Sequence, residues 1–155
     1  MLFLNHNKGE IMSENALQSL NLQQKKYIHK HKEDPDFVGY QDKIRSIVGT
    51  PIEIEFDWNT VAQGLLTDSF DNMFLNNGNN IKEWFLQNFE NGLKMLCADS
   101  LSKETFGSKI KKVKFIHDRE GSLKINNDTL IFAANLHGNG SPSKESVNEF
   151  LNENL

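Results

Sequence analysis

His117-Asp118-Arg119-Glu120, within "KKVKFIHDREGSLKI", sets an imidazole, two carboxylates and a guanidinium at four consecutive positions. These are the residue types of a general base with an acid to orient it. Spacing argues against that use. Neighbouring residues on a strand point to opposite faces, so His117 and Asp118 cannot readily orient each other. The polar tip of a hairpin accounts for the same residues: Asp118 can bond turn backbone, Gly121 can supply a positive φ, and Arg119 and Glu120 are solvated. "HKHKEDPD" offers His29 and His31 beside Asp34 and Asp36. A separation of two puts the imidazoles on different sides of a helix, whereas helical ligand pairs stand three or four apart. A metal-dependent hydrolase built from His29, His31, His117 or His137 would therefore need tertiary convergence.

Three other stretches carry weaker signals. In "KIKKVKF", strand alternation divides Lys109, Lys111, Lys112 and Lys114 between two faces, which weakens a nucleic-acid stripe. The glycines of "LHGNGS" match neither the dinucleotide fingerprint nor the lysine-containing triphosphate loop. Cys97 lies on an apolar periodic face and reads as packing. It is the chain's single cysteine, so no internal disulfide can form and no oxidising compartment is required. The net charge of −4 repels nucleic acid and anionic membranes. No apolar stretch reaches membrane-spanning length. A cytoplasmic protein with no metal or other cofactor, no nucleic-acid partner and no membrane association is expected.

Residues 1–11 stand apart. "NKGEIM" back-translates to a ribosome-binding sequence a few bases before the Met12 codon, in an AT-rich bacterial style, so 1–11 are expected to be a disordered or untranslated leader. The remainder, 12–155, reads as a single α+β domain. It divides into an N-terminal helical arm at 13–48, a sheet core at 50–136 and a C-terminal helix at 142–153.

In the arm, Ser13 caps a helix running to about Lys32, and "EDPD" stops it because Pro35 disfavours helix in the residue before it. "FVGYQDKIRSIVG" is ambiguous, with Gly49 a natural helix end. "TPIEIEFDW" alternates Ile52, Ile54, Phe56 and Trp58 with Glu53, Glu55 and Asp57, the period of a half-buried strand. "NTVAQGLL" is a short helix and "TDSFDNMFLNNGNN" a loop. Ile81, Trp84, Phe85, Phe89, Leu93, Leu96, Cys97 and Leu101 recur at three and four, predicting one long amphipathic helix. Gly92 inside it costs about 1 kcal/mol, which implies a close packing partner or a bend. One further helical turn, capped by Ser102, ends at Gly107. "KIKKVKFIH", "SLKI" and "TLIFAANL" are strands, the last two joined by a tight turn at "NND". Ser141 caps the final helix, with Pro142 at its first position.

Lys112 and Lys114 share the outward face of their strand, and the first strand's outward face is acidic. Opposite charges on neighbouring strands stabilise, so the two are expected to lie side by side; if they run parallel, the helix from Ile81 to Leu101 is the right-handed crossover between them. The fold expected is an α+β two-layer sandwich. It has a mixed sheet of about four strands, extended by antiparallel hairpins, and helices on one face.

The order "VGTPIEIEFDW", "GLKMLCADSLSKETFGSKIKKVKF", "GSLKINNDTLIFAANL" resembles a block found in small, uncharacterised bacterial α+β proteins, a family of unknown activity. It covers roughly Ile47 to Leu136. The resemblance implies the strand–helix–strand order and carries over no functional residue. On the residues themselves, the function expected is that of a non-enzymatic protein-binding module, such as a bacterial immunity or accessory protein. Its acidic row Glu53, Glu55, Asp57 would face a basic protein partner. The same row paired with lysines as an ordinary solvated face is the competing account. The small hydrolase above and a homo-oligomeric structural subunit are the alternatives.

Overall fold

The computed structural model describes residues 16–67, 81–135 and 141–155, apart from the side chain of Trp84. The leader at 1–11, the Ser13 cap, the loop at 68–80, His137 and the glycines of "LHGNGS" lie outside the described residues.

The helical arm is more broken than its periodicity implied. Residues 16–19 are helical and the helix breaks at Leu20. Asn21 then starts α1 (Leu22–Glu33) with a reciprocal cap: its side chain accepts from the Gln24 N–H at 2.9 Å, and its own N–H donates to Gln24 Oε1 at 2.9 Å. Asp34 closes α1 and caps α2 (Pro35–Val38). The ambiguous stretch is helical: α3 (Tyr40–Val48) ends at Gly49, whose φ of +82° is the left-handed C-cap that glycine adopts freely.

β1 (Glu53–Phe56) is followed by α4 (Trp58–Thr67). Trp58 therefore opens a helix instead of ending the strand. Asp57 dictates this, since its carboxylate accepts from the N–H groups of Asn59 and Thr60 at 3.0 and 3.2 Å. The expected long helix is three pieces. Residues of α5 (Ile81–Gln87) are bonded i→i+5, α6 (Asn88–Cys97) is regular, and α7 (Ser100–Lys109) starts afresh. Asp99 is the cap of α7, accepting from the Ser102 N–H at 2.9 Å, where Ser102 itself had been expected to cap. Gly107 lies within α7 and does not end it. There an added Cβ would fall 2.9 Å from Thr50 Oγ1.

β2 (Lys112–His117), β3 (Ser122–Asn126) and β4 (Thr129–Ala134) complete a four-stranded sheet in the order β1-β2-β4-β3. β1 and β2 are parallel neighbours, with Glu53 opposite Lys112 and Glu55 opposite Lys114, as their charges predict. β3 and β4 form the expected antiparallel hairpin, turning through Asn127 at a φ of 56°. β2 and β3, however, are not partners. β4 lies between them, parallel to β2, so the polar tip of a hairpin is the wrong description of 118–121. Burial explains the order. Leu130, Phe132 and Ala134 on the inner face of β4 are all buried, as is Ala133 opposite, and flanking strands on both sides shield them better than an edge position would. The more polar β3 takes the edge. The final helix α8 (Lys144–Asn154) is capped by Ser143, two residues after the expected Ser141. Ser141 instead donates to the Asn135 carbonyl at 3.2 Å.

The inner face of the sheet is apolar and aromatic. Phe115 and Phe132, on adjacent strands, lie 5.4 Å apart between ring centroids, and Phe89 of α6 meets Phe115 edge-on at 5.5 Å. α6 in turn packs against α8, with Gly92 at the crossing.

Candidate functional site

The acidic row is occupied from within. Lys112 Nζ lies 2.5 Å from Glu55 and 3.8 Å from Glu53, while Lys114 Nζ lies 3.6 Å from Glu55 and 3.8 Å from Asp57. Each lysine sits between two acids, a staggered ladder along the outer sheet face. Hydrogen bonding from Lys112 holds the Glu55 carboxyl below its ordinary range, with the Lys114 charge adding to the effect. Asp57 is further engaged as the cap of α4. The row is thus placed where it was expected, with the lysines as its immediate partners.

A lowered carboxyl favours the folded state above the ordinary glutamate pKa, and this contribution is lost as pH falls through the lowered value. Glu55→Gln is expected to destabilise the protein at neutral pH, and the difference from wild type should vanish on the acid side of that transition. Urea midpoints of both proteins across pH check this. A difference that stays constant with pH would mean that the ladder adds no charge-dependent stability. Molar salt should shrink the neutral-pH difference, because the pairs are exposed.

The opening tetrad sits at the end of β2. His117 donates its backbone N–H to Thr60 Oγ1 at 2.9 Å, and its ring lies against Gly64 of α4, where a Cβ would fall 2.3 Å from the imidazole Cδ2. Asp118 forms a local turn bond, accepting from the Glu120 N–H at 3.2 Å, as turn chemistry predicts. Gly121 does not supply a positive φ. Among the described glycines only Gly49 does. A cleft of about 250 Å³ beside His117 is bordered by Thr60, Gln63, Thr67 and Arg119. The threonine hydroxyls on it donate back into their own helix, Thr60 to Asp57 and Thr67 to Gln63. They aim no proton into the cleft.

The other histidines have separate surroundings. His29 is exposed and paired with Glu33 at 3.1 Å along α1. His31 is buried, its ring edge-on to Tyr27 at 4.7 Å. Among the described residues no three His, Cys, Asp or Glu side chains come together so that they could hold a metal ion. Cys97 is half-buried, and desolvation raises its thiol pKa. Among the described residues no helix is long and apolar enough to cross a membrane.

The two edges of the sheet differ in how their outward backbone groups are satisfied. At β1, Arg45 Nε donates to the Ile52 carbonyl at 3.0 Å, and the Ile54 N–H donates to Gln41 Oε1 at 2.9 Å. Side chains of α3 therefore occupy part of the outer edge of this strand. At β3, the pair closing the two-residue turn, Asn126 with Thr129, fixes the alternation of the ladder. Ser122, Lys124 and Asn126 bond β4, while Leu123 and Ile125 turn their backbone N–H and C=O groups outward. Among the described residues none bonds these groups. Beside this edge runs a groove of about 450 Å³, walled by Gly121, Ser122 and Leu123 on one side and by Ser146, Glu149, Phe150 and Glu153 of α8 on the other. Sequence reading missed this site. Its only linear trace is the recurrence of Ser146, Glu149, Phe150 and Glu153 on one face of α8. Compared with family models, curated proteins and solved structures, the chain matches none at a level that would show a shared family or fold.

Proposed function

We propose that this protein works by binding another protein, as an immunity-type or accessory protein of a bacterial interaction system, and that β3 with the α8 groove is its docking surface. One observation carries the reading. Of the two edges of the sheet, β1 has two of its outward groups taken by Arg45 and Gln41 of the neighbouring helix, while at β3 the outward N–H and C=O groups of Leu123 and Ile125 have no partner among the described residues and stand beside the larger groove. An open edge is a template for a further strand: main-chain bonds supply affinity, and the adjoining groove reads the side chains. The bacterial setting rests on the resemblance of the 47–136 block and on the Asn, Lys and Ile bias of the sequence.

Selection of a displayed library of unstructured peptides on the full chain tests the docking surface. Enriched peptides are expected to move the amide resonances of Leu123 and Ile125. Their binding should be lost on Leu123→Pro, which removes an outward N–H without removing a ladder bond. Cooperative unfolding of that variant verifies that it folds. Peptides that leave both amides unmoved, or that bind a folded Leu123→Pro variant equally well, would displace the proposal from this edge.

A further inference from the structure

We infer that the segment taken by β3 is basic, an extended stretch with Lys or Arg at alternate positions. The inference rests on the strand-docking reading above and adds the chemistry of the partner. Glu149 and Glu153 are exposed on the groove side of α8, and neither has an ion-pair partner among the described residues. This sets them apart from Glu53, Glu55 and Asp57, which the lysines of β2 already serve. Four residues along a helix rise about 6 Å. Every second side chain of a strand recurs at about 6.6 Å on one face. A strand added at β3 would turn its inward side chains toward the groove that the two carboxylates border, and the side-chain spacings of the two elements are similar enough for two to be met where they run side by side. The groove wall between them is Leu123 and Phe150, both partly buried. Lysine or arginine suits both features, its aliphatic stem covering the apolar wall and its head reaching the carboxylate. The chain's net charge of −4 attracts such a partner from a distance.

A second copy of this chain fits less well. The inward residues of its own β3 are Leu123 and Ile125, since Lys124 is registered with Ile131 on the outer face. Self-pairing would set two aliphatic side chains, and no cation, beside Glu149 and Glu153.

The test uses three synthetic peptides of one length, Thr-Lys-Val-Lys-Val-Lys-Thr and its Gln and Glu counterparts, titrated against the full chain, the E149Q/E153Q variant and the Leu123→Pro variant. On wild type the lysine peptide should bind about tenfold tighter than the glutamine peptide at low salt, the sum of two exposed ion pairs. That advantage should fall away in E149Q/E153Q and at high salt, and all binding should be lost with Leu123→Pro. If lysine and glutamine peptides bind wild type equally and both fail on Leu123→Pro, the basic inference is overturned and strand docking stands. If binding is indifferent to Leu123→Pro, strand docking itself falls. Concentration-dependent dimerisation without peptide, with broadening confined to the Leu123 and Ile125 amides, would make the occupant a second copy and overturn the inference.

Discussion

Phe115→Ala is expected to destabilise the fold by about 4 kcal/mol, the middle of the range for removing a buried aromatic. The Phe115 ring is fully buried and meets five others: Tyr40, Phe56, Phe85, Phe89 and Phe132, with centroid separations of 5.4 to 6.4 Å. These rings come from α3, β1, α5, α6 and β4, so collapse around the void would require several elements to move together. Cavities lined by groups that cannot relax are the costly ones. A domain of this size has roughly 5–15 kcal/mol in all, so the variant should retain a folded population with a much lower urea midpoint. Phe115→Leu keeps most of the volume and should cost about 2 kcal/mol or less. Chemical denaturation of the three proteins decides the matter. Equal losses for Ala and Leu would show that ring contacts, and not the void, carry the stability.

Gly92→Ala is the second large effect, and its sign runs against helix propensity. In an isolated helix alanine would gain about 1 kcal/mol over glycine. Here the new Cβ would lie 2.6 Å from Val147 Cβ, 2.8 Å from Val147 Cγ1 and 2.8 Å from the Lys144 carbonyl oxygen. Two of the three are a Cβ and a backbone atom, which no rotamer change can move, so α8 must shift bodily. Overpacking of this kind costs about 1–3 kcal/mol or more, and the net expectation is a loss of about 2 kcal/mol after the propensity gain. Val147→Ala on that background should restore only part of it, since it removes Cγ1 and leaves the Cβ and carbonyl in place. A stabilised Gly92→Ala protein would mean that the α6–α8 crossing is not tight in solution.

Gly92 also illustrates how far the linear sequence can be read. A glycine in the middle of a strong apolar stripe implied close approach or a bend, and the approach is that of α8. Strand alternation was equally legible: the opposed charges of "IEIEFDW" and "KKVKF" foretold that β1 and β2 are neighbours, and the ion-pair ladder is its result. Periodicity misled where a helix stops and restarts in phase. Leu96, Cys97 and Leu101 keep the three-to-four spacing across Ala98-Asp99, yet Leu101 is 70% exposed and belongs to a new helix. Asn21 and Asp99, cap-type residues that the periodicity passed over, stand at the helix starts that follow these breaks. Adjacency in sequence misled again at β3, because the more apolar run "LIFAA" of β4 takes the interior place beside β2 and leaves β3 at the edge. The groove could not have been foreseen. It exists because α8 returns beside β3, a tertiary event with no local signature, and Glu149 and Glu153 alone read as any solvated helix face.

The unequal treatment of the two sheet margins also limits how copies of this molecule can accumulate. Fibre growth through strand exchange requires a donor side and an acceptor side on every unit, so that each addition exposes a fresh place for the next. With Arg45 and Gln41 occupying two of the bonding groups along one margin, a unit that joins through β3 leaves a partly obstructed margin behind it. Extension beyond the first link is thereby disfavoured.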